Sequence, residues 1–183
     1  VGRPDPGKIR PGDAVILTGP LGDHSLAILA ARGEYGLESA VKSDCAPLTF
    51  LLPLWKKGVR WMRDVTRGGL ATILAELAEA LPYPVRVEEK LVPLSRPVRA
   101  AAEILGIDPL YMACEGRAVL IAPRASAGRI VSHIRRFGPG RRAAVIGEIG
   151  RGPGRAGEVL CETAAGGLRL LEPLTAELLP RIC

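Results

Sequence analysis

Apolar residues change their spacing from segment to segment along the chain, and each spacing predicts one type of element. Short apolar or alternating runs are typical of strands, and they occupy residues 13–18, 59–65, 85–88, 117–122 and 142–149. Two further runs, 158–163 and 167–171, flank a short turn and predict a hairpin. Helical spacing predicts helices over residues 23–32, 46–58, 69–81, 95–105 and 125–137.

Two of these helices carry informative residues. The clearest pattern runs from Leu70 to Leu81, where apolar residues recur every three or four positions until Pro82 stops the helix. The helix over residues 46–58 contains Pro53, which lacks the backbone N–H that a helix interior needs. We therefore expect Pro53 to kink or split it.

The connections between the elements predict the fold class. The last strands are joined by short Gly-rich turns rather than by crossover helices, which favours antiparallel pairing. We predict an α+β fold, with a mixed, mainly antiparallel sheet and helices packed on its outer face. The length of 183 residues suits one domain, which we assign to residues 1–171, followed by an extended, flexible C-terminal tail over residues 172–183.

Composition narrows the class of protein further. Hydrophobic residues make up 48% and charged residues 24%, as in ordinary globular proteins, which excludes a disordered or fibrous chain. No apolar run approaches the ~20 residues of a membrane helix, and the start does not resemble a signal peptide, so we expect a cytoplasmic protein. The chain has no Asn or Gln and 16 Pro, which indicates a hot habitat or a high-GC genome.

The cysteines show no spacing typical of a metal site. There is no CxxC motif and no pairing with histidine at zinc-ligand spacing, so we predict no metal site in this chain. Reduced thiols are the default expectation, although hyperthermophiles use intracellular disulfides, which leaves a pair among Cys45, Cys114 and Cys161 open. Cys183 differs from these three because it is the last residue of the chain, where a side chain moves most easily.

The segment before the clearest helix has the residues of an anion site. Asp64 lies at the end of a predicted strand, and Thr66, Arg67, Gly68 and Gly69 lead into the helix. Glycines let backbone N–H groups approach an oxyanion, the helix start carries partial positive charge, and arginine binds phosphate. No Gly-Lys-Ser/Thr follows, so this is not a Walker loop. A plain structural turn remains the alternative.

A second group of polar residues could support catalysis. Glu115 precedes Gly116 at the entrance to a predicted strand, where a carboxylate can act as a general base. A solvated glutamate beside a turn is the alternative. Asp23, His24 and Asp44 are possible supporting residues, or they simply cap helices.

The net charge of +6 raises the question of nucleic-acid binding. Arginines are frequent between residues 124 and 142, but the chain has only seven aromatic residues and no nucleic-acid recognition motif. We interpret this stretch as a solvated helix face and expect no nucleic-acid partner.

Several short motifs occur together in the order and spacing of one family. They are Gly12-Asp13, Gly22-Asp23-His24, residues 43–48, residues 62–70, residues 105–109, Glu115-Gly116 and the terminal Pro-Arg-Ile-Cys. From residue 9 to residue 183 the chain resembles the HypE family of hydrogenase maturation factors, in the superfamily of aminoimidazole-ribotide synthetase and selenophosphate synthetase. The terminal Pro-Arg-Ile-Cys is the most specific element of this resemblance.

The resemblance implies an activity and partners. A carbamoyltransferase, HypF, would place a carbamoyl group on Cys183, and ATP-dependent dehydration would convert it to a thiocyanate. The cyanide would then pass to iron on a HypC and HypD scaffold for nickel-iron hydrogenase. Glu115 would be the base, and residues Asp64 and Thr66 to Gly69 would face the phosphates of ATP.

The resemblance also has limits. It covers only the family's C-terminal domain and tail, whereas the N-terminal domain would supply most ligands of ATP and Mg²⁺ and the homodimer interface. The isolated chain is therefore expected to be inactive in ATP turnover. Cys114 stands where the family usually has Asn, so a hydrogen bond from that Asn is lost here. Another ATP-using member of the superfamily, or a module that only presents its tail to partners, remains the alternative.

Overall fold

A seven-stranded sheet organises the computed structural model, which describes residues 5–33, 36–37, 39–151 and 154–174. The strand order is β2-β4-β1-β5-β3-β6-β7. All neighbouring strands pair antiparallel except β3 and β6, which are parallel. The strands are β1 (Ala14–Leu17), β2 (Trp61–Asp64), β3 (Val85–Glu88), β4 (Ala118–Ala122), β5 (Ala144–Ile149), β6 (Val159–Glu162) and β7 (Leu168–Leu170).

Four α-helices accompany the sheet in the described residues. They are α1 (Asp23–Ala31), α2 (Gly69–Glu79), α3 (Arg96–Leu105) and α4 (Arg124–Ile134). Short 3₁₀ helices connect them, of which Pro109–Tyr111 packs against α2. The seven strands and four α-helices lie within a few residues of their predictions, because the apolar spacing that predicted them is the spacing that the core uses.

Alternate residues of the central strands pack into two separate cores. Val15 and Leu17 of β1 join the larger core with α2, whereas Ala14 and Ile16 join a second core with α4 and the 3₁₀ helix Thr49–Lys57. The predicted mixed, mainly antiparallel α+β sheet with packed helices is confirmed. The structure adds that helical segments cover both faces of the sheet, which explains why β1 and β4 are apolar at every position.

The predicted helix over residues 46–58 is the main correction to the sequence analysis. The structure has a 3₁₀ helix over Thr49–Lys57 instead, with Pro53 inside it. A proline in an α-helix removes one hydrogen bond and clashes with the preceding turn, so the tighter helix avoids a continuous α geometry here.

The described helices are all too short or too polar to cross a membrane. Of the predicted tail, residues 172–174 are described and form no regular element, while Cys183 lies outside the described residues. Leu171 is buried at the end of the sheet and donates its backbone N–H to the carbonyl of Val159 at 2.9 Å.

Candidate active site at the start of α2

The start of α2 has no side-chain cap among the described residues. Gly68 is the N-cap residue with a left-handed φ of 74°, so no side chain caps the helix, and no acidic residue lies in its first turn. Gly69 also has a positive φ of 65°, and a Cβ there would lie 2.5 Å from the carbonyl oxygen of Leu110. Glycine is therefore required at Gly69 for two reasons, and no side chain among the described residues caps the first turn.

Backbone hydrogen bonds place Glu115 beside this helix start. The N–H of Cys114 donates to the carbonyl of Val65 at 3.2 Å, and the N–H of Val65 donates to the carbonyl of Arg117 at 2.9 Å. Glu115 and Gly116 lie between these two bonds. The segment from Asp64 to Gly69 and the segment around Glu115 therefore lie side by side.

Asp44 holds the backbone of Glu115. Its Oδ1 accepts a hydrogen bond from the N–H of Glu115 at 2.9 Å, and its side chain is fully buried. A Cβ on Gly116 would lie 1.8 Å from the carbonyl oxygen of Asp44, so only glycine allows this approach. The side chain of Glu115 is half-buried and has no hydrogen bond or ion pair with any described residue, which leaves its carboxylate available.

Arg117 organises the buried side of the site, and the sequence analysis did not identify it. Its Nε lies 3.3 Å from Oδ2 of Asp44, and its Nη2 lies 3.7 Å from Oδ2 of Asp23. Its guanidinium also donates to backbone carbonyls, including that of Pro20 at 2.8 Å. The available signal was an arginine at the entrance to a wholly apolar strand, because a buried charge needs partners.

The start of α1 is closed, in contrast to that of α2. Gly22 is again a left-handed N-cap without a capping side chain, but its N–H donates to Sγ of Cys114 at 3.4 Å. Asp23 lies in the first turn and accepts a hydrogen bond from the hydroxyl of Ser95 at 2.8 Å. The helix start is thereby neutralised from within the protein.

The capping hypotheses for the supporting residues are wrong in detail. Asp23 is not the N-cap of α1, since Gly22 takes that position. His24 contacts the hydroxyl of Ser43 through Nδ1 at 2.9 Å, and residues 43–45 begin no helix. Asp44 instead contacts Arg117 and the Glu115 backbone. Asp23 and Asp44 thus meet at Arg117 beside the Glu115 backbone, whereas His24 contacts Ser43, the residue before Asp44.

The predicted phosphate-facing residues are accessible. Asp64 and Arg67 are exposed, and Thr66 is half-buried with its carbonyl accepting the N–H of Gly69 at 3.1 Å. The backbone bonds of Val65 place the end of β2 at Asp64 next to the Glu115 segment, while the phosphate-facing role of Thr66 and Arg67 stays a prediction. The predicted nucleophile Cys183 lies outside the described residues, so its position relative to them stays a prediction.

The thiols of the described residues are not paired with each other. Cys45 is exposed, whereas Cys114 and Cys161 are buried, and all three are free. Burial raises the pKa of Cys114 from 9.0 to about 12, so its thiol stays protonated. Within the described ranges, no group of three or more His, Cys, Asp or Glu side chains could hold a metal ion.

The sequence of the chain is similar to the sequences of known proteins. Residues 10–159 match the family model described as AIR synthase related protein, C-terminal domain. The carbamoyl dehydratase HypE of Rhodobacter capsulatus is 44% identical over 97% of this chain and 52% of its own length. The chain therefore spans about half the length of the curated relatives it matches.

Solved structures of HypE proteins are similar to the fold of this chain. A crystal structure of the hydrogenase maturation protein HypE in complex with ATP matches 98% of this chain and 55% of its own, with a TM-score of 0.89 and 41% identity. A chain of a HypE–HypF complex matches 90% of this chain and 54% of its own, with a TM-score of 0.82 and 30% identity. Through its residues 10–159, the chain belongs to the AIR synthase related family and has the fold of that family's C-terminal domain.

Proposed function

We propose that the full-length protein dehydrates a carbamoyl group on Cys183 to a thiocyanate, at the expense of ATP. The observation that carries this proposal is the pair of backbone hydrogen bonds at Val65, one donated and one accepted. They put Glu115, whose carboxylate has no hydrogen bond or ion pair among the described residues, next to the segment that leads into α2. A base and an anion site side by side are what this dehydration needs. Relatives named carbamoyl dehydratase HypE support the same reaction.

The chemistry assigns a task to each part of the site. The carbonyl oxygen of the thiocarbamate is a poor leaving group until it receives the γ-phosphoryl group of ATP. Phosphate then leaves, and the nitrogen loses its protons to form the C≡N bond, with Glu115 as the base. The overall change is carbamoyl-cysteine and ATP to cysteine thiocyanate, ADP and phosphate, which balances.

The residues present fit a phosphate group. The two left-handed glycines leave the first turn of α2 without a capping side chain, and the exposed guanidinium of Arg67 can bind a phosphate oxygen. A HypE relative has been crystallised with ATP. Asp64 could contribute one oxygen ligand to Mg²⁺, and we assign the other ligands to the part of the protein outside this chain.

The partners follow from the same reaction. HypF would supply the carbamoyl group, in agreement with the solved HypE–HypF complex of a relative. A HypC and HypD scaffold would accept the cyanide for the iron of nickel-iron hydrogenase. A cytoplasmic homodimer completes the proposed assembly.

The test separates the two stages of the reaction in the full-length protein. The mass of the tail peptide is followed over time after carbamoylation by HypF. Glu115→Ala should leave carbamoylation of Cys183 intact and slow the loss of water by ~10²- to 10⁴-fold, as expected for a general base. Glu103→Ala, which removes an exposed glutamate of α3, is the matched control and should have no effect.

Two results would contradict the proposal. Conversion to thiocyanate at the wild-type rate in Glu115→Ala would show that Glu115 is only a structural carboxylate. A carbamoyl mass gain that persists in Cys183→Ala would show that another residue carries the group.

A further inference from the structure

Two residues that enclose the start of α2 also bind the chain where it leaves the sheet. Thr72 lies over Gly68, because a Cβ on that glycine would lie 2.4 Å from Oγ1 of Thr72. Tyr111 lies against Gly69, where a Cβ would lie 2.8 Å from Cα of Tyr111. The walls of the open helix start are therefore formed by Thr72 and Tyr111.

The side chains of the same two residues hold residues 172–174, although Tyr111 meets Gly69 through its backbone. The hydroxyl of Tyr111 donates to the backbone carbonyl of Glu172 at 3.0 Å. Oγ1 of Thr72 accepts a hydrogen bond from the backbone N–H of Leu174 at 3.1 Å. The segment that leads to Cys183 thus begins its path across the start of α2, in contact with the residues that wall it.

Further contacts make this arrangement rigid. Nη1 of Arg169, on β7, lies 2.6 Å from Oδ2 of Asp108, and Oδ1 of Asp108 accepts the N–H of Leu110 at 2.9 Å. These bonds tie the last hairpin of the sheet to the 3₁₀ helix Pro109–Tyr111. Burial also raises the pKa of Tyr111 above its usual value, so its hydroxyl remains a donor at neutral pH.

We propose that Thr72 and Tyr111 are positioning residues. They hold residues 172–174 over the Gly68-Gly69 turn and so direct Cys183 towards Glu115. This role rests on the proposed dehydration. Cys183 lies nine positions after Leu174 in the sequence, which allows a reach of about 30 Å when the chain between them is extended. Over such a length, the direction in which the segment starts decides how often the thiol meets the site.

The two contacts favour the second stage of the reaction over the first. Carbamoylation takes place at a donor protein and needs only an accessible tail. Dehydration needs the loaded tail to return to the start of α2. Loss of the hydrogen bonds that Thr72 and Tyr111 make with residues 172–174 should therefore slow dehydration and leave carbamoylation unchanged.

The experiment uses Thr72→Val and Tyr111→Phe in the full-length protein, loaded at Cys183 by HypF. Each change removes one hydrogen bond, and we expect single-turnover dehydration at saturating ATP to slow about 2- to 10-fold, with the double variant slower than either. The KM for ATP should stay unchanged in Tyr111→Phe, because the hydroxyl that this change removes contacts Glu172. Thr72→Ser keeps the acceptor oxygen and should restore the rate, while Tyr83→Phe removes the hydroxyl of another half-buried tyrosine as a control.

A structural readout accompanies the kinetics. Hydrogen exchange at the amide of Leu174 should accelerate in Thr72→Val and not in Thr72→Ser. Dehydration at the wild-type rate in the double variant would overturn the positioning role, whatever the exchange shows. A wild-type protein that accepts the carbamoyl group but never loses water would instead overturn the proposed function itself.

Discussion

The starts of α1 and α2 have the same local geometry, but only α1 has an acidic residue in its first turn. Each helix opens on a left-handed glycine without a capping side chain, Gly22 with a φ of 80° and Gly68 with a φ of 74°. At α1, a Cβ on Gly22 would lie 2.8 Å from the side chain of Val98, and Asp23 supplies the negative charge. At α2, a Cβ on Gly68 would lie 2.4 Å from Oγ1 of Thr72, but the first turn has no acidic residue, so the difference between the two starts is one of charge.

The comparison of the two helix starts shows which features make one of them a candidate anion site. A glycine turn before a helix is a common structural feature, and at α1 the protein satisfies it internally. At α2 the partial positive charge and the free N–H groups find no counterpart among the described residues that cap the helix. We therefore propose an external anion as the partner of the α2 start and not of the α1 start.

Substitution of Asp44 should have the largest effect on stability, because its carboxylate has contacts on the side of α1 and on the side of α2. Its buried carboxylate faces Arg117 on the side of α1 and holds the backbone of Glu115 on the side of α2. Removing one partner of a buried ion pair costs about 3–5 kcal/mol, so Asp44→Ala should lower the free energy of unfolding by this amount.

The measurement is hydrogen exchange of the β4 amides in the full-length protein, as a function of urea. Asp44→Asn keeps an oxygen that can accept from Glu115 and should cost less than Asp44→Ala. Equal stability of Asp44→Ala and the wild-type protein would show that the Arg117 network does not support this part of the fold.

Gly68→Val tests the openness of the α2 start. The new side chain would clash with Thr72 and cover the N–H groups, so we expect kcat/KM for ATP to fall by about 10²-fold in the full-length protein, the order expected when reacting groups are displaced by about 1 Å. Gly58→Val is a matched control, since Gly58 has a φ of 92° but open space around its Cα. It shares the backbone strain and should keep normal use of ATP, whereas equal losses in both variants would point to strain alone.

Cys114 gives the smallest predicted effect and tests the closed start of α1. Its pKa is raised from 9.0 to about 12 by burial, so the folded state favours the protonated thiol. The stability that this preference contributes is fully present below pH 9. Stability should fall as the pH rises from 9 towards 12, by about 1.4 kcal/mol per unit from this thiol.

Comparison with Cys114→Ser isolates this contribution. The serine keeps the size and the acceptor for the N–H of Gly22 but does not titrate. Urea unfolding at pH 8 and pH 10 should show a larger loss in the wild-type protein than in the variant. The same loss in both proteins would mean that Cys114 is more exposed than its position indicates.

Much of the fold could be predicted from the sequence because its elements carry local signals. The spacing of apolar residues placed α2 and β3 nearly to their ends, and the short turns indicated antiparallel pairing. The parallel pair of β3 and β6 could not be inferred, because those strands are far apart in sequence and no local pattern fixes their register. The 3₁₀ geometry around Pro53 was also missed, since proline predicts an interruption but not the form it takes.

The candidate site was predictable residue by residue but not as a network. Glu115, Gly68 and Gly69 stand out in the sequence because each lies at the junction of a strand or helix. The links between them are backbone hydrogen bonds of Val65, an apolar residue with no functional signal. Asp44 and Arg117 meet through contacts between residues more than 70 positions apart, which local patterns do not encode.

The central claim is that the start of α2, and not that of α1, faces the phosphates of ATP. Amide NMR of the full-length protein, with ATP added to the Glu115→Ala variant so that the nucleotide is not consumed in the reaction, tests this directly. We predict large shift changes at Gly68, Gly69 and Leu70, and small ones at Gly22 and Asp23. Changes confined to Gly22 and Asp23, or none at either helix start, would contradict the account.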